Sequence, residues 1–317
     1  MGTIFWIVGG VVLFLAFAVL LTAYICFYRV FYSPKRKLPG PDEYDIPDGE
    51  IYEAFREDMI NWTKMIRTMP HEDVEIKSFD GLTLRGKYYE HHKGAIIEIL
   101  FHGYGGYSER DLSGGVERCF ALGRSAILVD QRGAGHSDGH VVTFGVNERR
   151  DCVAWAKFVA EKFGPDTKIV ITGVSMGAAT VMMAAGEDDL PENVVCVLAD
   201  CGYSTAQEII KKVVREMKLP PDLLYPFIKL GGRIFGHFDL EETTPLEAVK
   251  KCKIPVIFIH GDADDFVPCD MSAQLYAACA SQKSFKVIKG AGHGLAFPVD
   301  KEGYVSALAD FQRECGF

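Results

Sequence analysis

Lys168-Ile169-Val170-Ile171-Thr172-Gly173-Val174-Ser175-Met176-Gly177 decides how this chain is read, because it sets a serine between two glycines at the end of an apolar run. Residues 168–172 carry the β-branched side chains of a short buried strand. Residues 176–185 are small and apolar and read as a helix. A turn that passes from strand to helix at one residue forces that residue into a strained backbone geometry. Glycines two positions to either side leave room where the strand and helix approach each other. The serine hydroxyl is thereby pushed into the open at the top of a sheet.

An exposed serine hydroxyl is a weak nucleophile, so it needs a base, and the base needs an acid to orient it. Two later segments have the right form. The apolar run Pro255-Val256-Ile257-Phe258-Ile259 ends in His260-Gly261-Asp262-Ala263-Asp264-Asp265-Phe266-Val267-Pro268, a strand followed by an acidic turn. Phe285-Lys286-Val287-Ile288 is followed by Gly290-Ala291-Gly292-His293-Gly294, a strand followed by a glycine-flanked histidine. His293 is the candidate base. His260 begins a turn and reads as a strand-end cap. Asp262, Asp264 and Asp265 crowd one turn as candidate acids, with Asp200, after the strand at residues 194–199, as a fallback.

Attack on an acyl carbon creates a negative oxygen that needs preorganised N–H donors. The backbone N–H of Met176 is one candidate, since free amides and the dipole at a helix N-terminus both favour an anion. The strand at residues 95–101 leads into His102-Gly103-Tyr104-Gly105-Gly106, whose glycines let backbone approach a substrate closely, and the N–H of Tyr104 is the second candidate.

Taken together, these pieces resemble the serine hydrolases of the α/β-hydrolase superfamily. The branch of monoacylglycerol-lipase-like and serine-aminopeptidase-like bacterial proteins matches best. The resemblance rests on His102-Gly103-Tyr104-Gly105, Asp130-Gln131-Arg132-Gly133-Ala134-Gly135-His136-Ser137, the turn at Ser175, residues 260–268 and Gly292-His293, spanning roughly residues 74–315. It implies the chain order serine, acid, histidine, each acid and base in a loop after a later strand. The pattern H-G-x-x-D-x-x-V-P selects Asp264 as the acid and leaves its neighbours as turn formers. Residues 130–137 become a structural loop without a catalytic role. The implied fold is an eight-stranded, mostly parallel sheet with helices on both faces and a helical cap.

Local patterning agrees. Residues 74–79 and 82–88 alternate around Asp80-Gly81, which predicts an antiparallel β-hairpin at one sheet edge. Strands and helical patterns then alternate, as a parallel sheet requires. About fifty residues separate the strands at residues 194–199 and 255–259, more than one crossover helix needs. Ile209, Ile210, Val213, Val214 and Met217 share a helical face opposite Lys211, Lys212, Arg215 and Glu216, and Pro220-Pro221 stop that helix. The expectation is a small helical lid over residues 203–243 whose apolar underside favours acyl substrates.

Residues 4–28 contain no charged side chain and exceed the roughly twenty residues a helix needs to cross hydrocarbon. No Lys or Arg precedes the run, which argues against a cleaved signal peptide. Residues 1–28 therefore read as a transmembrane anchor, with Phe27, Tyr28, Phe31 and Tyr32 at the interface. Arg29, Lys35, Arg36 and Lys37 follow the span, so the positive-inside rule puts residues 51–317, the hydrolase domain, in the cytoplasm. Residues 29–50 read as a basic flank and linker, and residues 51–69 as an amphipathic helix packing on the domain. Nine unevenly spaced cysteines suit reduced thiols and form no metal-ligand spacing. A net charge of −9 without a basic stripe argues against nucleic-acid binding.

The expected activity is cleavage of an acyl or lipid-derived ester without cofactor or metal, on a hydrophobic acyl or small peptide substrate. A serine aminopeptidase is the rival and would need acidic groups for a free ammonium, for which Glu241 and Glu242 are the only hint. A non-catalytic scaffold is the third reading. Nothing in the chain points to an oligomeric state.

Overall fold

The structure is a computed structural model that describes residues 2–317. Its eight strands are β1 (Glu72–Lys77), β2 (Thr83–Tyr89), β3 (Ile97–Phe101), β4 (Ser125–Val129), β5 (Ile169–Val174), β6 (Val194–Asp200), β7 (Val256–Gly261) and β8 (Lys283–Ile288). They form one sheet in the order β1-β2-β4-β3-β5-β6-β7-β8. The expected hairpin turns at Gly81, whose φ of 89° suits glycine. β2 lies antiparallel to β1 and β4, and β3 to β8 run parallel.

Twelve helices surround the sheet: α1 (Gly2–Val30), α2 (Glu50–Glu53), α3 (Arg56–Thr68), α4 (Ser108–Ala121), α5 (Glu148–Phe163), α6 (Met176–Ala184), α7 (Ala206–Glu216), α8 (Pro221–Phe235), α9 (Pro245–Val249), α10 (Cys269–Ala278), α11 (Ala296–Val299) and α12 (Lys301–Cys315). Every residue of β3 and β4 is buried, as strands covered on both faces require. Alternate residues of the central strands point to opposite cores. Ile99, Ile171 and Phe258 join Trp155 of α5, Val181 of α6 and Leu275 of α10. Val170, Leu198 and Ile257 join Trp62 of α3 and Leu308 and Phe311 of α12. The amphipathic segment at residues 51–69 is broken into α2 and α3 around Ala54-Phe55, and Met59, Trp62 and Ile66 are its buried face.

The insertion after β6 is helical. Thr205 caps α7, accepting from the Glu208 N–H at 3.1 Å, and Pro221 opens α8 at its first position. Its apolar side, however, meets α1. Ala23, Phe27 and Phe31 of the N-terminal segment are buried. A Cβ on Gly231 of α8 would lie 2.4 Å from the Ala23 carbonyl oxygen, so only glycine permits this approach. Phe31 also packs edge-on against Phe144 and Phe238 at ring-centroid distances of 6.0 and 5.0 Å. Phe27 and Phe31 therefore serve the domain core, where the sequence placed them at a membrane interface. The spacing that makes them an interfacial pair also puts them on the α8 side of the helix. The chain then docks rather than dangles: Ser33 N–H donates to His140 O at 2.8 Å and Ser33 Oγ to Gly133 O at 2.8 Å.

Candidate active site

Ser175 sits between β5 and α6 with φ at 57°, a left-handed conformation that a side-chain-bearing residue holds at a cost of about 1–3 kcal/mol. The glycines around it are compulsory. A Cβ at Gly173 would lie 2.0 Å from the Gly177 carbonyl carbon, and one at Gly177 would lie 2.0 Å from Phe101 O. Ser175 N–H donates to Asp200 O at 2.9 Å, which ties the turn to the end of β6.

The loops after β7 and β8 bring the other two predicted residues to this hydroxyl. His293 Nε2 is 3.0 Å from Ser175 Oγ, and His293 Nδ1 is 2.7 Å from Asp264 Oδ2. A carboxylate only accepts, so Nδ1 carries the proton and Nε2 is left free to take one from the serine. Among the three crowded aspartates, Asp264 alone reaches the imidazole. Its Oδ1 accepts from the N–H groups of Phe266 and Val267 at 2.9 and 2.8 Å, which fixes the carboxyl plane. Asp262 instead accepts from the Gly290 N–H at 2.5 Å, joining the two loops. Burial disfavours the Asp264 anion, but hydrogen bonds from His260 and His293 outweigh it and bring its pKa from 3.8 down to about 2.

His260, expected to cap a strand, is fully buried and holds Asp264. Its Nε2–H faces Val267 O at 2.8 Å and Asp264 Oδ2 at 3.2 Å, while Nδ1 meets Ser272 Oγ at 2.7 Å. Asp200, the fallback acid, makes no bond to His293; its Oδ2 accepts from Tyr304 OH at 2.8 Å.

The backbone N–H groups of Met176 and Tyr104 donate to no protein acceptor among the described residues. Asp111 shapes the Tyr104 loop: its Oδ2 accepts from Gly103 N–H at 3.3 Å, and it lies so close to Gly106 that any side chain there would collide. Arg110 in turn donates to Asp111 Oδ1 at 2.7 Å. The Tyr104 side chain turns away, donating to Val30 O at 3.0 Å and stacking on Phe144. Residues 130–137 have a structural job, since Asp130 caps the N–H groups of Ser108 and His136 at 2.9 and 2.8 Å.

A cavity of about 220 Å³ opens beside Ser175. Tyr52, Phe266, Met59, Trp62, Gly114 and Phe297 line it beside the serine. No residue of α7 or α8 lines it. The apolar underside of the insertion is thus spent on α1 and its neighbouring core rather than over the serine. Glu241 is held by Tyr225 OH at 2.9 Å and by Lys229, and Glu242 by Arg149 and Arg150 at 2.5 and 2.7 Å; neither lines the cavity.

A family model described as the alpha/beta hydrolase fold matches residues 99–234. An esterase of Pyrococcus furiosus, Pf2001, superposes with a TM-score of 0.67 at 21% identity, covering 90% of this chain and 98% of that one. The chain has the α/β-hydrolase fold. It also resembles Est1E of Butyrivibrio proteoclasticus, solved with ferulic acid, with a TM-score of 0.58 at 22% identity over 76% of this chain and 98% of that one. Among curated proteins it is 26% identical to YqkD of Bacillus subtilis over 60% of its own length; the match spans 62% of YqkD, less than two thirds. It is 24% identical to bem46 of Schizosaccharomyces pombe over 78% of both chains.

Sequence reasoning missed the contributions of His260, Asp111, Tyr52 and Trp62 to this site. His260 had a signal, the H-G-x-x-D spacing itself. Asp111, Tyr52 and Trp62 had none, because they reach the site from helices that precede the serine by sixty residues or more. Cys201, Asp264 and His293 place one ligand atom each within 4.8 Å of one another, the geometry of a metal group. The donor set does not fit one. Burial pushes the Cys201 thiol well up, and both Asp264 oxygens already accept hydrogen bonds.

Proposed function

We propose that this α/β-hydrolase is a membrane-anchored serine esterase. The observation that carries the reading is the relay of Ser175 Oγ, His293 and Asp264, with bonds of 3.0 and 2.7 Å on the two ring nitrogens. Ser175 Oγ attacks the ester carbonyl while His293 Nε2 takes its proton. The negative oxygen is met by the N–H groups of Met176 and Tyr104. The tetrahedral intermediate collapses as His293 returns the proton to the departing alcohol, leaving an acyl group on Ser175. Water repeats the sequence and releases the acid. Asp264 keeps its negative charge throughout and stabilises the imidazolium.

An ester is favoured over a peptide with a free N-terminus because Glu241 and Glu242 are neutralised by their own cationic neighbours away from the cavity. The structural neighbour named as an esterase, Pf2001, points the same way. The relay makes a non-catalytic scaffold the weaker reading. Anchoring is supported by α1, with a hydropathy of 2.8 over its apolar window. Ala23 and Phe27 belong to the core, so cleavage after residue 28 would strip part of the fold. The basic flank at residues 29–37 supports a cytoplasmic domain.

The test is fluorophosphonate labelling with a panel of p-nitrophenyl esters and aminoacyl-nitroanilides. Label lost in Ser175→Ala, with esters turned over and anilides not, supports the reading. An unlabelled wild-type chain overturns it.

A further inference from the structure

His293 is carried by a loop with few side chains to hold it. Gly290 and Gly294 flank it in left-handed conformations, with φ at 75° and 68°, and a Cβ at Gly290 would meet nothing within 4 Å. Hydrogen bonds take over the task. Asp262 accepts from the Gly290 N–H, Leu295 N–H donates to Gly292 O at 3.2 Å, and Asp264 holds the imidazole at Nδ1. To the main chain of His293 itself there is one bond among the described residues: Tyr52 OH donates to His293 O at 3.1 Å.

Tyr52 reaches the loop from outside the sheet. It lies in α2, a single helical turn that precedes β1 in the chain. One turn has no stability of its own. Tyr52 and Phe55 fix it by packing against the core that holds Met59 and Trp62 of α3 and Leu308 of α12. A Cβ at Gly292 would lie 3.4 Å from Ile51 Cδ1, so α2 runs beside the loop. Burial pushes the Tyr52 phenol up to about 12, so it keeps the proton it donates across the neutral range.

We propose that Tyr52 is a positioning residue for the base: its hydroxyl fixes the main chain of His293, so that the ring holds Asp264 with one nitrogen and meets Ser175 with the other. The inference rests on the esterase reading. The Asp264 bond fixes one atom of the imidazole, and Phe266 bounds the ring edge-on at a centroid distance of 5.0 Å. A loop free to shift would still carry Nε2 away from Ser175 Oγ. Holding the carbonyl of the same residue fixes the other end of the side chain. Proton transfer needs heavy atoms within about 2.6–3.2 Å, and Nε2 stands 3.0 Å from Oγ, so little slack remains. His293 serves both the formation and the hydrolysis of the acyl-enzyme. Its displacement slows both steps together, which lowers kcat and leaves KM nearly unchanged.

The test is Tyr52→Phe in the full-length chain in detergent micelles, with Phe55→Leu beside it. Tyr52→Phe keeps the packed ring and removes the donor alone. On p-nitrophenyl acetate its kcat is expected to fall about tenfold at constant KM, less than the hundredfold that a full 1 Å misplacement can cost, with a thermal midpoint close to that of the wild type. Phe55→Leu loosens the same segment and spares the bond, so its thermal midpoint is expected to fall while kcat holds. Wild-type kcat in a folded Tyr52→Phe chain overturns the proposal. A change confined to KM makes Tyr52 a cavity wall and overturns it as well. An equal loss of kcat in Phe55→Leu assigns the effect to the packing of α2 and has the same consequence. The esterase reading is tracked by the wild-type chain: if acetate is not hydrolysed there, that reading fails and the positioning role falls with it, whereas acetate turnover with equal kcat in Tyr52→Phe removes the positioning role alone.

Discussion

The two bonds on His293 divide the labour of the site among single atoms. Because the relay acts as a unit, Ser175→Ala is expected to lower kcat roughly a million-fold, leaving only what the oxyanion donors and binding supply; steady-state kinetics on p-nitrophenyl acetate measure it. His260 works one step further back. Replacing it by phenylalanine removes a donor to Asp264, strands Val267 O in the core and leaves Ser272 Oγ only its bond to Gly202 O. The expected cost is about 1–3 kcal/mol of stability, together with a lower kcat at nearly constant KM. Unchanged kcat in a variant that unfolds earlier would reduce His260 to a packing residue. The three relay residues were legible in the sequence because each lies in a motif whose spacing the local backbone enforces, as Gly173 and Gly177 do for Ser175. The cavity walls were not, since Trp62 and Gly114 meet only after α3 packs on α4: a Cβ on Gly114 would lie 2.7 Å from the Trp62 ring.

Between elements, the sheet is fastened by charge as well as by apolar packing. Glu98 of β3 is fully buried and accepts from Arg118 of α4, from Arg124 at 2.7 Å and from Thr172 of β5 at 2.7 Å. Burial works against its anion, but the two guanidinium groups prevail and take its pKa from 4.5 down to about 2. Asp264 is displaced in the same direction, from 3.8 to about 2. A carboxyl with a depressed native pKa contributes fully above its unfolded value and loses that contribution as pH falls through the native one. The share of the urea midpoint due to these two carboxyls is therefore expected to be complete above about pH 4.5 and to be lost toward pH 2. Glu98→Gln should flatten that fall and lower the neutral-pH midpoint, because it leaves two buried arginines uncompensated. The crossing of α1 and α8 offers a second test. Gly231→Leu would drive a side chain into Ala23 and Phe27 and is expected to cost about 1–3 kcal/mol by overpacking, read as a lower thermal midpoint. Composition marked the α1 segment as apolar. It could not say that this segment and α8 would find each other, because a face alone does not name its partner, and so the lid was expected over the serine.

Across the whole molecule, the order of motifs was enough to foresee a parallel sheet with an antiparallel edge, since each motif ends a strand and the strands must lie side by side to bring Ser175, Asp264 and His293 to one rim. Where the N-terminal helix begins to belong to the domain was not foreseeable from hydropathy, which rises and falls without regard to what lies alongside. The structure puts that change within α1. Residues 4–21 are mostly exposed, and from Ala23 onward every third or fourth residue is buried. About 18 apolar residues in a helix span some 27 Å, close to the hydrocarbon thickness, so the proposed membrane span and the domain need not compete for the same turns. A chain beginning at Leu20 is therefore expected to remain folded and hydrolytic, because it keeps Ala23, Phe27 and Phe31. A chain beginning after Ser33 would lose two buried phenylalanines worth on the order of 5 kcal/mol and uncover Phe144, Phe238 and the two α8 glycines. It is expected to aggregate or to melt well below the longer form. Thermal midpoints and sedimentation of the two truncations decide the matter. Equal stability would mean that the last turns of α1 merely rest on the domain and that the segment could be shed without harm.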